Sequence, residues 1–326
     1  MSEPVFRVLK PGLLSTLQDL GRHGYQRLGV SPGGAMDAFA LRLANRLVGN
    51  LDNSVGLELT LAGTELQVLR NCEVALAGAD LGAHLDSKPL ACWENFFARP
   101  GQLLVFSQRR RGARAYLSVA GGFVAQNVLG SGSTDLRNGW GGLQGRRLQR
   151  GDDLFVQLTG RTDRSSFWGI RPDVLAEYNN PFLLRVLECP QSKLFEIETR
   201  QHFLHAEFTI SADSNRMGYR LEGPRLVAPD RELISEATPA GAIQVLPNGE
   251  ALLLMADRQT VGGYPKIAVL ISADLPKAAQ LAPGHRVRFQ EVSLAEAHRA
   301  LVQQEKRLNL ELLKLTSGRA IRPLRL

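Results

Sequence analysis

The stretch LLLMADRQTVGGYPKIAVLI (Leu252–Ile271) sets two apolar runs on either side of a polar turn. The runs Leu252–Ala256 and Ile267–Ile271 have the length and the residue types of buried strands. Between them, Asp257–Lys266 holds an acid, an amide, a hydroxyl, a phenol and a lysine around a Gly-Gly pair. Polar groups on such a turn can be held rigidly and still face a ligand. The stretch therefore predicts a strand-turn-strand unit that carries a binding site.

Short apolar runs at a spacing of about ten residues continue this pattern along the chain, separated by Gly, Asn, Asp or Pro. The runs predicted as strands are Glu65–Leu69, Glu73–Ala77, Leu103–Phe106, Ala115–Val119, Leu154–Val156, Leu183–Leu187, Phe208–Ser211 and Val287–Phe289. Because few helical patterns intervene, barrels or sandwiches are favoured over a doubly wound sheet. The predicted fold class is mainly β with a few helices.

Three helices are predicted among these strands. The first spans about 35–48 and ends at the stop signal Gly49-Asn50. Its apolar face consists of Met36, Ala40, Leu43, Ala44 and Leu47. A second helix follows Pro190 and runs to about Leu204. The last begins at Ser293, where the pattern Ser-x-x-Glu with Glu296 predicts a capping box.

A polar segment rich in turn-forming residues, 160–181, predicts a linker between two β-rich lobes. The predicted division is 1–160 for the N-terminal lobe, 161–181 for the linker, 182–292 for the C-terminal lobe and 293–326 for a C-terminal helix with a basic tail.

The composition is that of an ordinary soluble globular protein. The 326 residues include 44% apolar and 22% charged residues, and they suffice for one large or two medium domains. The net charge is +7, but the basic clusters are short and lack interleaved aromatics, so no nucleic-acid partner is predicted. The N-terminus lacks an apolar h-region, and no run reaches the roughly 18 apolar residues of a membrane helix. We therefore expect a cytoplasmic protein with no membrane partner.

Motifs of well-known sites are incomplete in this chain. GVSPG (Gly29–Gly33) matches a nucleophile elbow in form, but Pro32 after the serine has no N–H for an oxyanion hole. The same loop leads into the first helix, whose free N–H groups could hold an anion, or it is a plain turn. No Walker-type motif occurs. The glycine-rich stretch Gly130–Gly145 either cradles a phosphate or serves turns.

Metal and thiol sites are not predicted. His202 and His205 lie three residues apart on a predicted helix, but no third ligand is evident nearby. The three cysteines form no CxxC pair, which argues against a zinc ribbon or a disulfide framework. Cys189 precedes a helix start, which favours the thiolate, but it has no identifiable base partner.

Charged residues beside glycine turns suggest a chemical site. They are the carboxylates Asp135, Glu236 and Asp257 and the cations Arg137, Arg216 and Lys266. A reaction that develops negative charge on an amide or phosphoryl oxygen needs fixed cations and a carboxylate that moves a proton. Taken singly, each residue also fits a surface or capping role. As a set over both lobes, they predict a site in a cleft between the lobes.

Four segments together resemble the biotin-dependent carboxyltransferase and allophanate-hydrolase subunit 2 family. They are TLQDLGRHGYQRLGVSPGGAMD (Thr16–Asp37), AGGF with GSGSTDLRNGWGG (within Ala120–Gly142), SNRMGYRLEGP (Ser214–Pro224) and DRQTVGGYPKIA (Asp257–Ala268). The resemblance runs in order from about residue 5 to about residue 290. Within the family, the chain resembles the C-subunit group of ATP-hydrolysing 5-oxoprolinases.

The resemblance implies two cyclophilin-like β-barrel lobes facing a cleft, and two companions, the B and A subunits of 5-oxoprolinase. It implies ATP-dependent opening of the 5-oxoproline lactam to glutamate, with ATP bound by this chain, by a partner or at an interface. Two alternatives stay open. One is carboxyl transfer from carboxybiotin to urea or a related amide, and the other is a regulatory protein that antagonises a kinase inhibitor.

The family motifs also imply site residues. Lys266 and Arg216 are expected to stabilise negative charge, and Asp257 to move a proton or to orient Lys266. Expected substrate-binding positions are Gly33, Gly34, Asp37, Asp135, Arg137, Asn215, Met217, Gln259, Thr260 and Tyr264, and no metal is expected. Cys189-Pro190-Gln191 stands where relatives often carry Gly-Pro-Gln, so the Cys189 side chain is expected to narrow that corner.

Overall fold

The computed structural model describes residues 2–157, 169, 181–230 and 233–316, with side chains as far as Asn309. These residues divide into two compact units. The first unit takes in 2–22, 37–157, 169 and 306–316. The second takes in His23–Met36 and the described residues of 181–305. The predicted linker 161–181 lies outside the described residues except at Gly169 and Pro181.

Eleven strands are described in the first unit. They are β1 (Ser2–Pro11), β2 (Leu14–Gln18), β3 (Gly56–Thr60), β4 (Thr64–Val68), β5 (Cys72–Asp80), β6 (Ala83–Leu85), β7 (Lys88–Pro89), β8 (Glu94–Ala98), β9 (Leu103–Phe106), β10 (Arg111–Val119) and β11 (Asp153–Gln157). The five strands predicted for this region are confirmed as β4, β5, β9, β10 and β11, with bounds that shift by a few residues.

These strands form two sheets, where the resemblance implied a barrel. One sheet has the order β11-β1-β4-β9-β6-β7 and the other has the order β2-β3-β10-β5-β8. Alternate residues of the strands point inwards, as in the buried Leu66 and Val68 of β4 and the buried Val74 and Leu76 of β5. Burying these side chains together with those of β1 and β10 makes one apolar core for this unit.

Helix α1 (Ala38–Leu47) packs on β5 and β10 in this unit. The predicted helix is confirmed with a later start, because Asp37 takes the N-cap position and its side chain accepts a hydrogen bond from Ala40 N at 2.8 Å. The predicted apolar face is buried in full, although Met36 precedes the helix and packs in the core of the second unit. The predicted stop is confirmed, since Gly49 has φ +74° just after the helix.

The second unit is built on a closed seven-stranded barrel, which confirms the barrel expected there. Its order is β12 (Phe182–Leu187), β19 (Lys266–Leu270), β16 (Ala242–Val245), β17 (Ala251–Leu254), β14 (Gly218–Glu222), β13 (Phe208–Ile210) and β20 (Arg286–Glu291). The short strands β15 (Glu236–Ala237) and β18 (Val261–Gly262) pair as a separate two-stranded ribbon. Apolar residues of the barrel strands fill its core. The two strands predicted on either side of the polar turn are β17 and β19.

The described residues also include three further α-helices, namely α2 (Ile197–His205), α3 (Leu275–Ala279) and α4 (Leu294–Thr316). Pro190–Leu194 forms a 3-10 turn, so the helix predicted after Pro190 is divided into this turn and α2. The capping box at α4 is confirmed, because Glu296 N donates to Ser293 Oγ while Ser293 N donates to the Glu296 carboxylate. None of the described helices combines the length and the apolar character that crossing a membrane requires.

Candidate functional site

The antiparallel pairing of β14 with β17 brings two predicted site segments together. Gly218 at the start of β14 lies opposite Leu254 at the end of β17, so the residues before one strand adjoin those after the other. Backbone hydrogen bonds continue this contact, from Met255 N to Met217 O at 2.9 Å and from Asp257 N to Arg216 O at 3.0 Å. The barrel therefore fixes the backbone of both segments.

Arg216 and Asp257 form a two-fold ion pair at this junction. Arg216 Nε lies 2.8 Å from one carboxylate oxygen of Asp257, and Nη2 lies 2.9 Å from the other. Nη2 also donates to the carbonyl oxygen of Gly34 at 2.6 Å. The Arg216 side chain is 4% exposed and that of Asp257 is 18% exposed, so the pair is largely shielded from water. Arg216 thus fixes both the Asp257 carboxylate and the glycine loop.

Gly33 and Gly34, both predicted as site residues, belong to that loop. Their φ angles are +60° and +85°, a region that residues with a Cβ rarely adopt. Ser31 ties the same loop down, since its hydroxyl donates to Ala256 O at 3.3 Å. This contact gives Ser31 a structural role and agrees with the rejection of a nucleophile elbow.

Lys266, the first residue of β19, is held by Glu236 and Gln191 of the second unit. Its Nζ lies 2.5 Å from a carboxylate oxygen of Glu236. The side chain of Gln191 accepts a hydrogen bond from Lys266 N at 2.8 Å and donates one to Glu236 at 2.7 Å. We expected Asp257 to orient Lys266 or to move a proton. The structure gives the orienting contact to Glu236 and Gln191, because the Asp257 carboxylate is paired with Arg216.

Cys189 also touches this lysine segment. Its backbone is extended, and its thiol donates to the carbonyl oxygen of Lys266 at 3.2 Å. The Cys189 side chain thus lies against the backbone at the start of β19. Burial raises the pKa of the thiols of Cys72 and Cys92 to about 12, so neither supplies a thiolate nucleophile at neutral pH.

The remaining polar residues of the turn are linked through Gln244 of β16. Gln259 donates to the Gln244 side-chain oxygen at 3.2 Å, and Gln244 donates to the carbonyl oxygen of Tyr264 at 3.2 Å. Thr260 is buried, and its carbonyl oxygen accepts from Thr238 N at 3.0 Å. Tyr264 is exposed, so its phenol is open to a ligand. The turn is thus rigid at its base and open at Tyr264.

Asn215 and Met217 flank the buried Arg216 and are both exposed. The Asn215 side chain accepts a hydrogen bond from Met217 N at 2.8 Å, which fixes the turn before β14. Its amide nitrogen remains available to a ligand. Within the second unit, the structure therefore brings together the predicted residues Gly33, Gly34, Asn215, Arg216, Met217 and Asp257 around one barrel end.

The predicted residues of the first unit have different surroundings. Asp37 is buried and caps α1, so its carboxylate occupies the N-terminus at which we considered an anion. This favours the alternative of a plain turn, because a second negative charge would be repelled there. Asp37 N in turn donates to the hydroxyl of Tyr116 at 2.7 Å.

Asp135 is enclosed by its own loop. Its carboxylate accepts hydrogen bonds from Arg137 N and Asn138 N, both at 3.0 Å, from the Asn138 amide at 2.8 Å and from the Trp140 indole at 2.9 Å. Burial by itself raises the pKa of Asp135, but the hydrogen bonds from Asn138, Trp140 and Arg137 outweigh it, so the pKa lies below its usual value.

Asp19, which the sequence analysis did not single out, binds the start of the glycine-rich stretch. It is buried and accepts hydrogen bonds from Gly132 N at 2.7 Å, from Gly21 N at 2.8 Å and from the hydroxyls of Ser131 and Ser133. Carboxylates of the chain thus occupy backbone amides that a phosphate would need. The phosphate cradle considered for this stretch does not fit the residues present.

The histidine pair forms no metal site. His205 Nδ1 lies 2.7 Å from the carbonyl oxygen of Gln201, within its own helix. Across the described ranges, no group of three or more His, Cys, Asp or Glu side chains is arranged to hold a metal ion.

Residues 28–291 match the family model described as "Carboxyltransferase domain, subdomain A and B". The chain belongs to this family. It is 40% identical to the 5-oxoprolinase C subunit of Haemophilus influenzae over 284 residues, which cover 87% of this chain and 90% of that protein. It is 39% identical to the 5-oxoprolinase C subunit of Escherichia coli over 303 residues, which cover 93% of this chain and 96% of that protein.

A solved structure is similar over nearly the whole chain. The crystal structure of the K. lactis urea amidolyase matches with a TM-score of 0.88 and 31% identity, over 95% of this chain. The match covers 20% of that much longer chain. The similarity confirms the mainly β carboxyltransferase fold expected from the motifs, and it shows the same fold as one part of a larger enzyme.

Sequence reasoning missed the groups that hold the site in position. The side-chain amide of Gln191 connects Lys266 with Glu236, and that of Gln244 connects Gln259 with Tyr264 within the turn. The signal for Gln191 was its place in Cys189-Pro190-Gln191, a motif that we quoted for its cysteine. Gln244 lies within the buried run of β16, and a polar residue in such a run indicates a satisfied hydrogen-bond network.

Proposed function

We propose that this chain is the C subunit of an ATP-dependent 5-oxoprolinase, which opens 5-oxo-L-proline to L-glutamate. The observation that carries the proposal is the identity of 39–40% to two 5-oxoprolinase C subunits over 90–96% of their length. The match to the urea amidolyase is lower in identity, at 31%, and covers one fifth of that chain. Carboxyl transfer to urea is therefore the second candidate.

The chemistry explains why ATP is needed. A lactam is a stabilised amide and a poor electrophile. Transfer of the terminal phosphoryl group of ATP to the carbonyl oxygen gives ADP and an activated carbon that water can attack. After the first water adds, the ring C–N bond breaks as the nitrogen takes a proton, and the carbon is left as an acyl phosphate. A second water then hydrolyses this acyl phosphate, which releases phosphate and glutamate. Such a reaction needs fixed positive charge near the oxygen and a group that moves protons.

The charged residues of the second unit suit these tasks. We assign Lys266 to the stabilisation of negative charge on the substrate oxygen, since its ammonium group is held in place by Glu236. We assign Asp257 to proton movement, with Arg216 fixing its orientation through two hydrogen bonds. The amides of Asn215 and Gln259 and the phenol of Tyr264 are assigned to substrate contacts.

ATP is assigned to a companion protein or to an interface with one. The glycine-rich stretch and the N-terminus of α1 hold the carboxylates of Asp19, Asp135 and Asp37, which disfavour a triphosphate. We therefore propose that the chain acts with the B and A subunits of 5-oxoprolinase in the cytoplasm, where ATP is available. The positioned cation and carboxylate favour a catalytic role over a purely regulatory antagonist.

The test is co-expression of this chain with its B and A companions, followed by purification of the assembly. ADP and glutamate are measured with 5-oxoproline, with urea and without either. We expect ADP release and glutamate formation in equal amounts, and only with 5-oxoproline. ADP release that depends on urea would favour the second candidate. If a folded, assembled complex releases no ADP with any substrate, the regulatory antagonist is favoured.

A further inference from the structure

Lys266 is a buried cation with an incomplete set of partners. Its side chain is 6% exposed, and the Nζ atom itself is sealed from water. An ammonium group has three N–H donors. Among the residues that the structure describes, Nζ makes no well-directed hydrogen bond, and its contact is the ion pair with Glu236 at 2.5 Å.

A buried ammonium group with one ion pair and no directed hydrogen bond is an unusual arrangement, because burial of a charge is unfavourable unless the charge is paired and hydrogen-bonded. The Arg216–Asp257 pair of the same unit differs, because directed hydrogen bonds hold its guanidinium group, two to the carboxylate and one to a carbonyl oxygen. Lys266 retains capacity for further oxygen ligands.

Glu236 differs from its partner in its access to water. Its side chain is 51% exposed, and it lies on the two-residue strand β15 of the ribbon rather than in the barrel. The carboxylate can therefore leave Nζ and be hydrated at little cost, while Lys266 stays where the barrel holds it. Gln191, which donates to Glu236 at 2.7 Å, is itself fixed through Lys266 N and stays with the lysine.

We infer that Glu236 is a displaceable counter-ion, which holds Lys266 in the free protein and yields it to an anionic oxygen of a bound ligand. The ligand chemistry is a carboxylate or a phosphoryl group, because either presents oxygens that complete the ammonium donors and the freed Gln191 amide. Only the identification of that anion as the carboxylate of 5-oxoproline or as phosphate rests on the proposed function. Glu236 is thus a positioning residue that sets the affinity for anions.

A displaceable counter-ion differs from a plain structural ion pair in its effect on anion binding. Removing the Glu236 charge removes a competitor for Lys266, so anions bind more tightly to the variant. A structural pair would show lower stability on its removal and no gain in affinity. Uncharged ligands are unaffected in either case.

The test is anion-dependent thermal unfolding of the full chain, as wild type and as the variants E236Q, K266M and E250Q. Glu250 is the matched control, because it pairs with Arg220 and Arg225 at the surface of the same unit. The probes are inorganic phosphate, 5-oxoproline and uncharged 2-pyrrolidinone, at constant ionic strength. The half-saturation concentration of the shift in melting temperature gives the affinity.

We expect E236Q to bind phosphate, 5-oxoproline or both about three- to tenfold more tightly than wild type, as fits the loss of a half-exposed ion pair. The probe whose affinity increases in E236Q shows whether the bound anion is phosphate or the carboxylate of 5-oxoproline. E250Q should match wild type, and K266M should lose the saturable shift. Equal or weaker anion binding by E236Q, an equal gain for 2-pyrrolidinone, or no saturable shift with any protein would overturn the inference. The assay requires no turnover, so failure of the proposed function leaves its result intact.

Discussion

Two glycine-containing polar segments of this chain look alike in sequence and differ in structure. In Gly130–Gly145 of the first unit, the carboxylates of Asp19 and Asp135 accept hydrogen bonds from the backbone and side chains of their own surroundings. In the turn Asp257–Lys266 of the second unit, Arg216 holds the Asp257 carboxylate, whereas Lys266 Nζ lies against Glu236 without a well-directed hydrogen bond.

Structural and chemically active charged groups differ in how many of their hydrogen-bonding positions are already occupied. A carboxylate whose acceptor positions are filled from within its loop stabilises that loop and has little left for a ligand. A cation with unused N–H donors can still form favourable hydrogen bonds when an anionic ligand binds. We therefore interpret the glycine-rich stretch as a structural element and the second-unit turn as the chemical site.

A large effect on turnover is expected at Asp257. Replacing Asp257 by Asn (D257N) should lower kcat of the assembled enzyme by about 10²-fold or more, because proton transfer by a positioned carboxylate contributes about 10²–10⁴. The matched control is D213N, since Asp213 is exposed on a loop of the same unit. Steady-state glutamate formation checks this. A D257N enzyme as active as the control would remove Asp257 from the chemistry.

The largest effect on stability is expected in the first unit. Asp19→Ala leaves two backbone amides and two serine hydroxyls without their acceptor. We expect the free energy of unfolding to fall by about 3–5 kcal/mol, as for other broken buried networks. Urea denaturation measures the change. The control D153A, which breaks the surface pair with Arg7, should cost less than about 1 kcal/mol; similar losses for both would refute the network.

An intermediate effect is expected at the ion pair of the second unit. Arg216→Lys keeps the charge but cannot donate to both Asp257 oxygens and to Gly34 O together. The free energy of unfolding should fall by about 1–3 kcal/mol, and activity should fall with it. The exposed Arg220 supplies the control R220K, for which denaturation should show a change within about 0.5 kcal/mol. If R216K changes neither stability nor activity, a single contact from residue 216 is enough to hold Asp257.

The smallest effect is a pH dependence at Asp135. Its pKa is lowered in the folded chain, so its stabilisation is present above the unfolded pKa and is lost as pH falls through the folded value. The stability difference between wild type and D135N should therefore be constant from about pH 7 to about pH 5 and shrink below about pH 4. Denaturation midpoints across this range test it. A difference that grows on acidification would contradict the lowered pKa.

Much of the fold could be predicted because local patterns and tertiary packing agree. The apolar runs at β4, β9 and β17 and the capping box of α4 signal their elements within a few residues. The N-terminal strand β1 was not predicted, since its polar residues interrupt the apolar run and its pairing with β4 and β11 is long-range. Such pairings depend on distant partners that no local pattern contains.

The site was predicted less completely for the same reason. The motifs pointed to Lys266, Arg216 and Asp257, but they left open whether Asp257 orients the lysine. The barrel aligns Asp257 with Arg216 through β14 and β17, and it leaves Lys266 to Glu236 and Gln191. Which carboxylate meets which cation is decided by long-range strand pairing, of β14 with β17 in the barrel for Asp257 and of β15 with β18 in the ribbon for Glu236.

The most direct test of the central claim compares one residue from each segment in the same assay. K266M and D135N are each assembled with the companion subunits, shown to be folded, and assayed for glutamate formation from 5-oxoproline and ATP. We expect K266M to lose activity by about 10³-fold, as for removal of a fixed charge-stabilising group. D135N should stay within about threefold of wild type, since a carboxylate whose hydrogen bonds are satisfied within its own loop adds nothing to the chemical step. An active K266M, or a D135N that is equally inactive, would contradict the account.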